Sequence, residues 1–125
     1  MVSVPISGIW EHAHTSASKR KQTEIAESER ARVRELLRLE IEHARSELST
    51  AWRASLASEL AVEQADVNVR EVSDQYANGL VTFSDVLEAE ALRQEAASRR
   101  IDAQVDYWLK RSAYLRAVVA EDDAR

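Results

Sequence analysis

The sequence predicts an all-α chain: a long antiparallel helical hairpin of coiled-coil type, preceded by one short β-strand. Three observations carry this. In 125 residues there are only two Gly and one Pro, too few chain breakers for a compact globule of many elements. Apolar residues recur at alternating spacings of four and three over two long stretches, the period of a helix face that meets a partner helix. Between those stretches stands Asn78-Gly79, the residue pair most suited to ending a helix with a left-handed residue.

Composition narrows the partners. Charged residues make up 31% of the chain and the formal net charge is -5, so the chain lacks the basic balance that phosphate backbones demand and nucleic acid is not an expected partner. Lys19-Arg20-Lys21 does not alter this. Arg30, Arg32, Arg34 and Arg38 alternate with Glu27, Glu29, Glu35 and Glu40, which reads as a solvated helix face. Hydrophobic residues reach 45%, yet only one Phe, three Trp and three Tyr can fill a core. A hairpin of this kind buries little by itself and is expected to need partner chains. The absence of Cys excludes disulfides and thiolate metal sites. No apolar run of 18 residues is present, so no transmembrane helix is expected. Met1 leads straight into Val2-Ser3-Val4-Pro5 without the pattern of a signal peptide. If the protein works outside the cytosol, the chain is expected to be a fragment of something longer or a truncated reading frame.

Residues 2–7 alternate, with Val2, Val4 and Ile6 on one face and Ser3, Pro5 and Ser7 on the other, which predicts a strand. Pro5 restricts it to an edge or an end. Such a strand needs a neighbour that this chain does not supply.

From 10 to 78 there is neither Pro nor Gly, and one long helix of roughly 100 Å is expected. Its seam runs through Leu37, Ile41, Ala44, Leu48, Ala51, Ser55, Ser58, Val62, Ala65, Val69, Val72 and Tyr76. A second apolar stripe, Trp52, Leu56 and Leu60, lies beside it, so the helix calls for two neighbours. The many Ala and Ser residues in the seam predict close helix approach with modest burial, suited to a sheet of helices rolled into a tube.

Residues 79–82 form the turn. Gly79 supplies the positive φ, Thr82 the cap of the next helix, Asp85 the acidic partner of a capping box, and Val81 a staple onto Val86. A return helix over 83–120 follows, with a seam expected at Leu87, Ala91, Gln94, Ser98, Ile101, Val105, Trp108, Ser112, Leu115 and Val119. The polar tail 121–125 is expected to fray. A connection this short permits only an antiparallel pair.

Two blocks of this sequence resemble the TolC-like outer-membrane efflux family, and together they extend the likeness over essentially the whole chain. Val2-Ser3-Val4-Pro5-Ile6-Ser7-Gly8 is similar to the end of a barrel strand, where the family's chain swivels into periplasmic helix. More specific is Tyr76-Ala77-Asn78-Gly79-Leu80-Val81-Thr82-Phe83-Ser84-Asp85-Val86-Leu87-Glu88-Ala89, which resembles the family's Tyr-x-x-Gly followed by Asp-Val-Leu-x-Ala at the periplasmic helix turn. Asp106-Tyr107 and Leu115 fit its ascending helix. The resemblance implies a segment of a homotrimeric duct with a twelve-stranded barrel above a twelve-helix tunnel, in the outer membrane and periplasm. Such a duct exports small molecules with an inner-membrane transporter and a periplasmic adaptor; it is not an enzyme and holds no cofactor. It further implies that Tyr76, Asp85 and Glu88 border the periplasmic aperture, and that Gly79, Leu80, Val81 and Thr82 form the turn where adaptor hairpins dock. Val81 departs from the arginine that helps latch the closed state in the best-studied member.

Two rival readings come from the residues themselves. Glu11-x-x-His14 and Glu40-x-x-His43 have the spacing of helical di-iron sites, but on one continuous helix they lie roughly 43 Å apart and share no metal. No metal site and no hydrolase arrangement is expected. The alternative to the duct is a stand-alone helical-hairpin coiled-coil interaction module, with no barrel.

Overall fold

The structure, a computed structural model, describes the backbone of residues 6–125 and the side chains of residues 13–125. It consists of two helices, α1 (Ile6–Ala77) and α2 (Phe83–Asp123), packed against each other as an antiparallel hairpin. Among the described residues there is no strand.

The strand expected over 2–7 is corrected at its last two residues. Ile6 and Ser7 are helical, and α1 runs on through Gly8 and Ile9; Val2 to Pro5 lie outside the described residues. A strand leaves its backbone groups to a neighbour, whereas a helix pairs them within itself. With no second strand beside Ile6 and Ser7, the helix is the conformation that satisfies them. At the other end of the chain Glu121, Asp122 and Asp123 continue α2 past the expected end at 120. Its last turn is closed by Ala124, whose N–H bonds to the Asp122 and Glu121 carbonyls.

The α1 seam lies where its spacing places it. Every position from Leu37 to Val72 in that series is buried or half-buried, and only Tyr76 at its end is exposed. Ala51, at 3% exposure, and Ser55 are the most enclosed. The small side chains admit α2 closely, and no large side chain is fully buried.

The α2 seam is offset from the expected one by one or two positions. All ten residues of the expected series, Leu87 through Val119, are exposed. The residues facing α1 are instead Val86, Ala89, Arg93, Ala96, Arg100, Ala103, Tyr107, Lys110, Tyr114, Ala117 and Glu121, each buried or half-buried. This set repeats at three and four as strictly as the other. Arg100 keeps its Nε buried, whereas Arg93 and Lys110 lay their methylene stems in the interface and carry their charges to its edge. There Arg93 reaches Asp66 at 3.7 Å and Lys110 reaches Glu47 at 3.1 Å. Alanine at the alternate positions leaves room for those stems.

The ring contact between Trp52 and Tyr107, with centroids 5.4 Å apart, fixes the register together with those ion pairs. One step along α1 matches one step back along α2, so the end of α2 lies level with about residue 36 of α1. Beyond that level α1 projects alone for roughly 45 Å. Residues 13 to 36 are exposed on all sides.

Candidate functional site at the hairpin tip

The tip is built by two interlocking motifs. At the end of α1, the Leu80 N–H bonds to the Gln75 carbonyl at 2.9 Å and the Gly79 N–H to the Tyr76 carbonyl at 2.9 Å. This crossed pair is a Schellman closure. It needs a left-handed residue between its two bonds, and Gly79 has φ 73. A Cβ at Gly79 would meet nothing within 4 Å, so the requirement for glycine is set by backbone conformation and not by crowding. Asn78 adds a side-chain bond from Nδ2 to the Asp74 carbonyl at 2.9 Å.

Three residues later α2 starts on a reciprocal cap. The Thr82 N–H and Oγ1–H both donate to Asp85 Oδ2 at 2.7 Å, and the Asp85 N–H returns to Thr82 Oγ1 at 3.4 Å. The Thr82 hydroxyl and then its backbone N–H, both donating to the carboxylate, hold the Asp85 pKa below the ordinary 3.8. Val81 and Val86, the expected staple pair, are both half-buried.

The structure thus gathers the sequence-predicted residues into one short segment and gives each a different state. Leu80 is exposed at the extremity, and Val81 is turned partly inward. The Asp85 carboxylate is committed to the cap of its own helix. Glu88, one turn further, is exposed. Tyr76 is exposed, but its ring packs on Phe83 with centroids 5.8 Å apart, bridging the two helices just above the turn. Phe83 was not among the sequence-predicted site residues. Its signal was available in the register, because the first residue of α2 must face the last seam residue of α1.

The tip offers Leu80, Phe83 and Tyr76 as an apolar knuckle beside the carboxylates of Asp74, Asp85 and Glu88. Both Glu-x-x-His pairs fall on the uninterrupted α1, which holds them roughly 43 Å apart. Among the described residues no group of three His, Cys, Asp or Glu side chains is placed to hold a metal ion. No helix among them is long and apolar enough to cross a membrane. No family model, no curated protein and no solved structure matches the chain.

Proposed function

We propose that the chain is a wall segment of a trimeric outer-membrane duct for efflux of small molecules, working with an inner-membrane pump and a periplasmic adaptor. The observation that carries this reading is the pairing of a TolC-like turn block, Tyr76 to Ala89, with a hairpin that leaves apolar stripes uncovered on both of its helices. A tunnel of helices needs a hairpin of that kind, because each helix must meet a neighbour on two sides. In this reading Gly79, Leu80, Val81 and Thr82 dock the adaptor, and Tyr76, Asp85 and Glu88 border the aperture. Three copies of Glu88, free of the cap that occupies Asp85, would focus negative potential there and favour cations.

The stand-alone interaction module is the second reading. It is favoured by the helical backbone at Ile6 to Ile9, where a duct would turn from barrel strand to helix. An antibody raised against the hairpin separates the two in the source cells. The duct reading expects a longer polypeptide in the outer-membrane fraction that cross-links as a trimer, and increased sensitivity to exported compounds when its gene is deleted. Detection of nothing but a species of this length in the soluble fraction would sink it.

A further inference from the structure

We infer that the outer face of α2 between Ile101 and Val119 rests on the surface of an anionic lipid bilayer. Ile101, Val105, Trp108, Leu115 and Val119 are all exposed. At about 100° per residue they fall within roughly 40° of one line along the helix. That line stands roughly 145° from the seam that faces α1, so the stripe looks away from its own partner. It runs for roughly 27 Å, and Leu109 widens it on one side. An apolar stripe along a helix whose other side is polar or already packed suits the boundary between headgroups and acyl chains.

Both rims of the stripe are basic. Arg111 lies roughly 80° from the line on one side and Arg116 roughly 60° from it on the other. Among the described residues neither makes an ion pair. Arg111 sets its guanidinium 5.0 Å from the Trp108 ring centre, and Arg116 donates from Nε to the Ser112 carbonyl at 3.4 Å, so both are held beside the stripe. Their aliphatic stems follow the apolar surface while their charges reach the level of lipid phosphates. Trp108 suits the same boundary, because its ring takes the apolar side and its N–H the polar side. The exposed carboxylates of Asp102 and Asp106 stand roughly 100° and 140° from the line, turned toward water.

The same line shows where the contact ends. Toward the tip it passes through Gln94 and Glu90, with Glu88 and Glu95 nearby, and anionic headgroups repel carboxylates there. A second copy fits the stripe less well. Its α2 would bring the same two arginines to the joint with no carboxylate to meet them, and on its α1 the ring of Trp52 already packs on Tyr107. No helix among the described residues is long and apolar enough to cross a membrane, so α2 lies on the bilayer without spanning it. Nothing here rests on the duct reading. A neighbouring wall helix and a bilayer would compete for the stripe, and lipid holds a copy that has no neighbour.

Flotation of the full chain tests this with vesicles of equal parts phosphatidylglycerol and phosphatidylcholine, and with phosphatidylcholine alone. The wild type is expected to float with the first and to bind the second about thirtyfold more weakly, about fivefold for each arginine. Arg111→Gln with Arg116→Gln is expected to bind both vesicles with that weaker affinity. Val105→Glu with Leu115→Glu is expected to float with neither and, because both positions lie outside the seam, to keep its helicity. Val105→Gln with Leu115→Gln adds no charge and is expected to lose flotation in the same way. A wild type that binds both vesicles equally or neither, an arginine variant that binds the anionic vesicles as the wild type does, or stripe variants that float like the wild type would each overturn the inference. So would self-association of the wild type that the stripe variants abolish, with no flotation, which would give the stripe to a second copy. Whether the protein is found in a trimeric duct leaves these expectations unchanged.

Discussion

The tip and the seam of this hairpin are specified at different ranges. Between Asp74 and Asp85 a run of short hydrogen bonds ends one helix and starts the next, and each bond joins residues no more than five apart. Along the seam the links between α2 and α1 are long-range in sequence, the Arg93–Asp66 and Lys110–Glu47 ion pairs and the Trp52–Tyr107 ring contact. The phase follows from which side chains can share a close interface, summed over Leu37 to Val72 and Val86 to Glu121. A local device fails locally, by fraying a helix end. A phase fails for the whole hairpin, because one intruding side chain separates both helices over several turns.

The sharpest way to break this comparison is to place a charge at the closest approach. Ala51 is 3% exposed, and Ala54 on the same helix is exposed. Ala51→Asp buries a carboxylate too short to reach water, and should cost more than about 3 kcal/mol, enough to unfold a hairpin of this size. Ala54→Asp carries the same change in helix propensity and should cost only about 0.7 kcal/mol. Urea unfolding followed by circular dichroism measures both. Equal costs would mean that the helices do not pack at Ala51.

Between the two regions legibility also differs, and the reason is physical. Gly79, Thr82 and Asp85 act through their own backbone conformation and nearest neighbours, so their residue types alone announce the Schellman closure and the capping box. The α1 seam was equally legible, since its apolar residues are the ones that pack. On α2 the most apolar series is not the packed one. Leu87, Ile101, Val105 and Trp108 outrank Ala89, Arg93, Arg100 and Lys110 in hydrophobicity, and yet they are exposed. The seam takes Ala at its closest approaches, Ala51, Ala89 and Ala117, and between them the stems of Arg93 and Lys110, which end in ion pairs, and the rings of Tyr107 and Tyr114. That preference belongs to the pair of helices and is not written in α2 alone.

Adjacent residues on α2 turn this into a measurement. Tyr107 is half-buried against Trp52, whereas Trp108 is 57% exposed, with the Arg111 guanidinium 5.0 Å from its ring centre. In dilute solution Tyr107→Ala should cost about 2 kcal/mol and Trp108→Ala less than about 1 kcal/mol, although tryptophan is the larger side chain. Thermal unfolding of both variants decides which series faces α1. The reverse order would return the seam to the position of Leu87, Ile101 and Trp108.

The smallest effect belongs to the tip, and it has a sign that pH reveals. Asp85 receives hydrogen bonds from Thr82 in its ionised form, and its folded pKa lies below the ordinary 3.8 of the unfolded chain. A depressed carboxylate contributes its stabilisation in full above the unfolded value. That contribution declines as the pH falls below 3.8 and is lost once Asp85 is protonated in the folded chain as well. Because the carboxylate is solvent-exposed, the loss should appear as fraying of the first turn of α2 and not as unfolding of the hairpin. NMR secondary chemical shifts of Ser84, Asp85 and Val86 should move toward coil values in acid, while those of Ala51 and Ala89 stay helical. Asp85→Asn keeps an acceptor for Thr82 but cannot ionise, and its first turn should show no transition of its own in that range. If the seam and the first turn melted together in wild-type protein, the tip would not be the independent local device that its hydrogen bonds describe.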